Sequence, residues 1–354
     1  MKLTNEIIEN DTLEIINSPY INWSEFSNKA VLVTGANGLI GAKIIETLLN
    51  APQNIKIIAL ARSKERLENL FFAEIQQGLI TPIYQDVTDE ITFDENVDYI
   101  IHTACGTASK SFVEKPVETI DTIYTGTKNI LDFALKKRCK GLLHLSSMEV
   151  FGQTDFNKET PLKENELGYL DISQPRSSYP EGKRLAENLC IAYAKEYNVP
   201  VKIARLVQIL GANVDYNDNR VYVQFARNIV ENKDIILHTK GDTERNYCYI
   251  TDAISGMFVI LQRGTNGECY NLANPHTACS IKQMAENLCK KYPTSQLKID
   301  LTNENAKFYL PKVKTILDTQ KLEALHWQPQ VGLDEMFSRV IKSFQYQTSL
   351  VKNI

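Results

Sequence analysis

Ala30-Val-Leu-Val-Thr-Gly-Ala-Asn-Gly-Leu-Ile-Gly41 is the stretch on which the reading of this chain turns. An apolar run without polar alternation meets glycines at 35, 38 and 41, and helical spacing follows over Leu39–Leu49. The pattern predicts a strand covered on both faces, a tight turn, and a helix whose N-terminus faces whatever fills the turn. Gly35 would permit the turn, Gly38 would let backbone approach a phosphate, and Gly41 would let helix and strand close together. The free amides and the helix dipole favour an anion. A dinucleotide pyrophosphate is therefore the expected ligand, with Asn37, Leu39 and Ile40 in the same turn.

Working outward, strands and helices alternate. Strands are expected at Lys56–Leu60, Ile80–Gln85, Asp98–Thr103, Gly141–Ser146 and Val201–Leu206, and helices at Lys64–Gln76, Val117–Arg138 and Ser178–Tyr197. Continuous apolar strands separated by helices predict an α/β fold with a doubly wound, Rossmann-type parallel sheet. After Gly211 the pattern loosens. Helices at Val221–Glu231, Ser280–Lys291 and Leu333–Phe344 and a strand at Asp234–His238 suggest a smaller, mixed α/β substrate lobe. The expected division is an N-terminal helical extension over 1–28, a dinucleotide-binding domain over 29–210 that also receives about 246–275, and a substrate lobe from 211–245 and 276–354. In the extension, Ile7, Ile8, Leu13, Ile15 and Ile16 suggest one amphipathic helix with Trp23 and Phe26 behind it, and no chemistry is assigned to it.

The 354 residues are 43% hydrophobic and 23% charged, with a net charge of −4, which marks an ordinary globular protein and gives no basic surface for nucleic acid or anionic membrane. No apolar run approaches a bilayer span, and the acidic N-terminus does not resemble a signal peptide, so a cytoplasmic protein is expected. Seven cysteines, none in a Cys-x-x-Cys pair, suggest reduced thiols, and five scattered histidines suggest no metal site.

At the end of the second strand, the acid that would bind the ribose hydroxyls of NAD is missing. Arg62 stands there, backed by Ser63, Lys64 and Arg66. That cluster suits a 2′-phosphate and favours NADP(H), with NAD(H) as the alternative. Asp86 and Val87 close the third strand, where an acid can accept from the adenine amino group. Thr103, Ala104 and Cys105 end the fourth, on the cofactor side. Tyr179 and Lys183 are four apart on a predicted helix and share a face. An ammonium beside a phenol should pull its pKa down toward the working pH. Ser146-Ser147 follows a strand at the sheet edge where ligands bind, and offers the third polar group.

With these residues in place the chain resembles an extended short-chain dehydrogenase/reductase of the nucleotide-sugar epimerase/dehydratase group. The resemblance rests on Thr34–Gly41, His102–Cys105, Ser146–Gly152, Tyr179–Glu187 and Arg245–Asp252, and in texture is closest to the UDP-glucuronate decarboxylases. It implies that Ser147 binds the reacting sugar oxygen, that Tyr179 is the acid or base, and that Lys183 tunes it and holds the nicotinamide ribose. It implies catalytic or sugar contacts for Glu149, diphosphate binding by Arg245, substrate contacts at Thr107, Ser109, Gln208 and Arg220, and a homodimer formed through the two long helices.

The chain also departs from the group. Met148 stands where dehydratases carry an acid, which argues against 4,6-dehydration. Gln208 replaces an Asn, and Ile123 stands where relatives place an Asn. Three readings follow: NADPH-dependent reduction of a keto group on a nucleotide-diphosphate sugar; decarboxylation or epimerisation with hydride lent and returned on a resident cofactor; or a non-catalytic NADP sensor. The first is the leading expectation, with the second close behind.

Overall fold

Val31, Leu32 and Val33, and their neighbours Ile58, Ala59 and Ile100, are wholly buried, because their strands are the middle layer of a sandwich with helices on both sides. The structure is a computed structural model describing residues 5–106, 109–302 and 312–352. The chain begins with helix α1 (Glu6–Ile16). It continues through β1 (Lys29–Thr34), α2 (Leu39–Asn50), β2 (Ile55–Ala61), α3 (Lys64–Gln76), β3 (Ile80–Tyr84) and β4 (Tyr99–His102). Next come α4 (Ser109–Glu114), α5 (Pro116–Lys137), β5 (Gly141–Ser147), α6 (Ser178–Tyr197), β6 (Val201–Leu206) and β7 (Gln208–Leu210). Then follow α7 (Val221–Val230), β8 (Ile235–Leu237), β9 (Glu244–Tyr249), α8 (Ile250–Arg263), β10 (Cys269–Leu272) and β11 (Asn274–Ser280). The last described elements are α9 (Ile281–Lys291), β12 (Leu297–Ile299), β13 (Lys314–Thr315), α10 (Gln320–Glu323) and α11 (Leu333–Lys352).

The main sheet runs β10-β6-β5-β4-β1-β2-β3 and all its pairings are parallel. From β1 the chain winds outward through β2 to β3, then returns to β4 on the other side. This reversal opens a crevice at the carboxyl ends of β1 and β4, the place where such sheets bind ligands. The expected Rossmann-type sheet is present, and β10 adds to its edge beside β6.

The mixed lobe contains more sheet than the sequence suggested. β9 is flanked by β11 and β13, with β7 beside it, and β8 pairs with β12. These strands are two to seven residues long, and four of the six have three residues or fewer, too brief for a periodic signal. Helix α8 was also unexpected. Its residues Ile250–Leu261 are all buried, so it has no polar stripe to betray a helical period. Trp327 packs beneath it, donating its indole N–H to Ser255 (3.0 Å).

The N-terminal helix forms as expected, but its buried side is different. Asp11, Thr12 and Ile15 face the protein, whereas Leu13 is 54% exposed. Trp23 and Phe26 pack against Phe258 of α8, as T-shaped rings 5.2 and 5.5 Å apart. All seven cysteines are free. Among the described residues no helix is long and apolar enough to cross a membrane, and no cluster of metal-ligating side chains occurs.

Candidate active site

Gly35 has φ 63°, a left-handed conformation, and a Cβ there would sit 2.7 Å from Thr103 Oγ1. At Gly41 a Cβ would meet the Gly35 carbonyl oxygen at 2.3 Å, so only glycine lets α2 approach the turn this closely. Thr103 Oγ1 donates to the Thr34 carbonyl (2.7 Å) and the Ala104 amide donates to Thr34 Oγ1 (3.2 Å), which bolts the ends of β1 and β4 together. The result is a backbone cradle capped by a helix N-terminus. It fits a dinucleotide pyrophosphate, since every feature that brings amides to an anion is in place.

The cradle opens into one cleft of about 490 Å³. Lining it are Gly35, Asn37, Gly38, Leu39, Ile40, Gly41, Arg62, Ser63, Asp86, Val87, Thr103, Ala104, Cys105, Ser109, Ser147, Glu149, Tyr179, Lys183, Gln208 and Arg220. The candidates chosen from sequence thus converge, with two exceptions. Thr107 lies outside the described residues. Arg245 is half-buried on β9 behind the cleft wall, near enough to Glu149 and Arg176 to feel both charges, with its Nε partnerless among the described residues. Burial there works against the guanidinium charge. Arg66, Gln85, Thr122 and Met148 also line the cleft.

At the adenosine end, Arg62 Nη1 lies 3.4 Å from Asp86 Oδ2, with the Arg62 side chain 72% exposed. Asp86 also accepts from the Thr88 amide and hydroxyl (both 3.0 Å). Its burial pushes toward protonation, but these bonds and the Arg62 charge outweigh it and hold the carboxyl below its usual range. The Ser63 hydroxyl caps α3 by accepting from the Arg66 amide (3.2 Å).

At the other end, Tyr179 is buried with its ring stacked on Phe112, centroids 4.1 Å apart and planes 11° from parallel. Ser147 stands close enough to the phenol to favour its ionised form, and its Oγ accepts from the Glu149 amide (3.2 Å). Lys183 Nζ donates to the Leu145 carbonyl (2.7 Å) and stands 6.0 Å from the Tyr179 ring centre. One expectation fails here. The phenol pKa is pushed up, not down: burial dominates, the Cys105 and Glu149 sites add to it, and Ser147 only partly opposes them. The Lys183 charge is aimed at a backbone carbonyl.

Glu149 forms a two-pronged ion pair with Arg176, Nη1 to Oε2 at 2.8 Å and Nη2 to Oε1 at 3.1 Å. Arg176 sits three residues before Tyr179 and was not singled out in the sequence. Behind the site, Glu187 lies one turn beyond Lys183. It accepts from Ser146 Oγ (2.5 Å) and from Arg205 Nε and Nη2 (2.9 and 2.6 Å). The spacing Tyr179–Lys183–Glu187 on one face was the available signal. Two imidazoles, His102 and His144, sit paired in register on β4 and β5 with ring centres 5.5 Å apart. Burial, then the Lys183 charge, pushes His102 to about 3, and the same causes hold His144 well below the usual histidine range.

Arg220 lines the cleft, with its guanidinium held by Asp218 (3.0, 3.0 and 2.7 Å). Gln208 Oε1 is buried without a partner among the described residues.

A glycine-turn dinucleotide cradle that shares a cleft with a Ser-Tyr-Lys triad defines a short-chain dehydrogenase/reductase-type enzyme. The model of the NAD dependent epimerase/dehydratase family matches residues 31–273, and the chain belongs to that family. It is 27% identical over 333 residues to UDP-glucuronic acid decarboxylase 5 of Arabidopsis thaliana, covering 92% of each chain. Among solved structures it is similar to the UDP-glucose 4-epimerase of Thermotoga maritima (TM-score 0.74, 19% identity, 91% of this chain and 99% of that one). It is likewise similar to a dTDP-glucose 4,6-dehydratase from Streptomyces venezuelae with NAD bound (TM-score 0.73, 19% identity, 91% and 98% of the two chains).

Proposed function

We propose that this chain acts on a nucleotide-diphosphate-linked uronic acid, UDP-glucuronic acid in the first instance, and decarboxylates it with hydride lent and returned in one turnover. The observation that carries the reading is the corner where Ser147, Tyr179 and Lys183 meet the Glu149–Arg176 pair. The decarboxylase names of its sequence relatives support the same reading. Epimerisation is the same oxidation and re-reduction without loss of CO₂.

A bound nicotinamide dinucleotide supplies the hydride acceptor and donor for the sugar C4. Tyr179 takes the proton of the C4 hydroxyl and later returns it, with Ser147 holding that oxygen. Oxidation makes the sugar a β-keto acid. The C5–C6 bond then breaks, CO₂ leaves, its bonding electrons move onto the C4 oxygen, and the enolate takes a proton at C5 from solvent water. Glu149, fixed by the Arg176 fork, is the group facing that step. Arg220 in the cleft, joined by Arg245 once its side chain turns in from β9, would meet the diphosphate by charge-assisted bonds, and Thr107, Ser109 and Gln208 would complete the substrate side.

Reduction of a keto sugar by NADPH is the second reading, supported by the Arg62, Ser63 and Arg66 cluster in the cleft. That cluster also supports NADP(H) over NAD(H) as the dinucleotide. The outer faces of α5 and α6 leave Val117, Ile120, Tyr124 and Leu185 exposed, which supports a homodimer through these helices.

The test is incubation of the purified protein with UDP-glucuronic acid, following CO₂ release and the UDP-pentose by mass spectrometry, with the retained dinucleotide identified after gel filtration. Product formation without net consumption of added dinucleotide is expected. An inert UDP-glucuronic acid, alongside stoichiometric NADPH oxidation by a UDP-4-keto sugar, would replace decarboxylation with reduction.

A further inference from the structure

The carboxylates of α1 reach three different elements. Asp11 Oδ2 accepts from the Tyr249 phenol of β9 (2.7 Å) and Oδ1 from Arg339 Nη1 of α11 (3.0 Å). Glu14 Oε1 accepts from Thr251 at the start of α8 (2.6 Å), and Oε2 from the same Arg339 nitrogen (2.7 Å). Glu335 holds Arg339 Nε and Nη2 (3.0 and 2.6 Å). On the other side of α1, the fully buried ammonium of Lys43, from α2, donates to the Ile8 carbonyl (2.9 Å) and to Thr12 Oγ1 (2.8 Å). Asn5 donates to Ser343 of α11 (2.7 Å), and Ser343 donates to the Ala212 carbonyl (2.6 Å).

These bonds join the two sides of the cleft. Helix α2 presents its N-terminus to the dinucleotide cradle, whereas α11 packs on α7 and β7, whose leading residues Arg220 and Gln208 line the substrate side. Asn213, just past β7, donates to the Leu39 carbonyl in the first turn of α2 (3.2 Å). Moving α1 would part buried Asp11 from Arg339 and take two neutral acceptors from the buried Lys43 ammonium, whose counter-charge Glu46 lies on α2 itself, so the link resists displacement.

We propose that α1 is an interlobe brace, in which Asp11, Glu14, Lys43 and Arg339 are positioning residues that couple occupancy of the dinucleotide side to affinity on the nucleotide-sugar side. The proposal rests on the reading that the cleft takes both ligands. None of the four lines the cleft, so the brace acts through α2 and α11.

Calorimetry on the full chain, with UDP titrated in the absence of dinucleotide and then at saturating NAD or NADP, tests it. In the wild type the dinucleotide should tighten UDP binding by about fivefold or more. Arg339→Met should abolish that gain while leaving UDP affinity for the dinucleotide-free protein within about twofold. The isosteric Asp11→Asn, which also covers a failure of Arg339→Met to fold, should reduce the gain. A lowered melting temperature with the coupling intact would make the network merely structural and overturn the brace, as would uncoupled binding in the wild type. Failure of the wild type to bind either ligand would overturn the cleft reading and the brace with it.

Discussion

Replacing Glu187 by Gln should destabilise the protein severely, although the substitution is isosteric and 187 is absent from the cleft wall. Glu187 and Arg205 side chains are each 5% exposed. Four donors converge on the carboxylate: Ser146 Oγ, Arg205 Nε, Arg205 Nη2 and, at 3.8 Å, the Cys269 thiol. The Glu164 carbonyl also takes Arg205 Nη1 (2.5 Å) but is neutral. An amide at 187 turns one acceptor into a donor facing a donor and leaves the guanidinium charge buried without a counter-charge. Breaking a buried pair in this way costs about 3–5 kcal/mol. At roughly 2 °C per kcal/mol for a chain of this size, the melting temperature should fall by about 6–10 °C. Urea unfolding and a thermal melt measure it directly. The double variant Glu187→Leu/Arg205→Leu removes both charges, and should recover most of the loss. Because α6 carries Tyr179 and Lys183 and this network pins it to β5 and β6, the single variant should also lose about 10²-fold in turnover, the scale of a 1 Å misplacement. A Glu187→Gln protein within about 1 kcal/mol of wild type, or a double variant no better than the single, would refute the reasoning.

Three further outcomes follow from the site and its surroundings. Tyr179→Phe should lower turnover by ~10²–10⁴-fold with dinucleotide affinity nearly unchanged, and steady-state kinetics with fluorescence titration separate the two. Arg62→Asp should shift the ratio of NADPH to NADH affinity toward NADH. An unchanged ratio in competitive titrations would remove the 2′-phosphate role. Burial pushes Asp11 and Asp252 up to about 6 from an ordinary 3.8. Their folded-state pKa is raised, so the folded protein binds more protons between pH 4 and 6. Their contribution is full below pH 4 and lost as pH rises to 6, by up to about 3 kcal/mol each. Asp11→Asn should flatten the pH dependence of the unfolding free energy in that window.

The parts of the molecule legible in the sequence were those in which residues close in the chain are close in space. The Gly35–Gly38–Gly41 turn, the parallel strands and the Tyr179/Lys183 helical face all depend on local spacing, and each is present. What escaped depends on distant partners. β9 pairs with strands on either side of it in the chain, through registers of a few residues. Glu187 reads as an ordinary surface acid until β6 brings Arg205 against it. In α1 the isoleucines suggested an apolar footing, but Asp11 is buried as deeply as Ile15, made tolerable by Tyr249 and Arg339 from more than 200 residues away. Buried charge is invisible to a reading based on hydrophobic period, because its partner and not its neighbours decides where it sits.

The Tyr179 phenol was expected to be poised as a base, and the structure instead holds it protonated. In the proposed reaction only the phenolate can take the C4 proton, so substrate binding must lower this pKa, and Lys183 is a cation placed beside the ring to do so. Lys183 has three N–H donors, and one is committed to the Leu145 carbonyl. Beneath it, His102 and His144 are kept uncharged by burial and by Lys183 itself. Neither imidazole therefore adds a second charge beside Lys183. The charges on the opposite side are arranged to the same end. Glu149 raises the phenol pKa, but Arg176 neutralises Glu149 through both of its oxygens. A ligand anion that drew Arg176 away would free Glu149 to hold the phenol proton more tightly, whereas one that took up Arg245 would leave the pair intact. In the proposed reaction, which guanidinium the substrate engages would therefore move the phenol pKa.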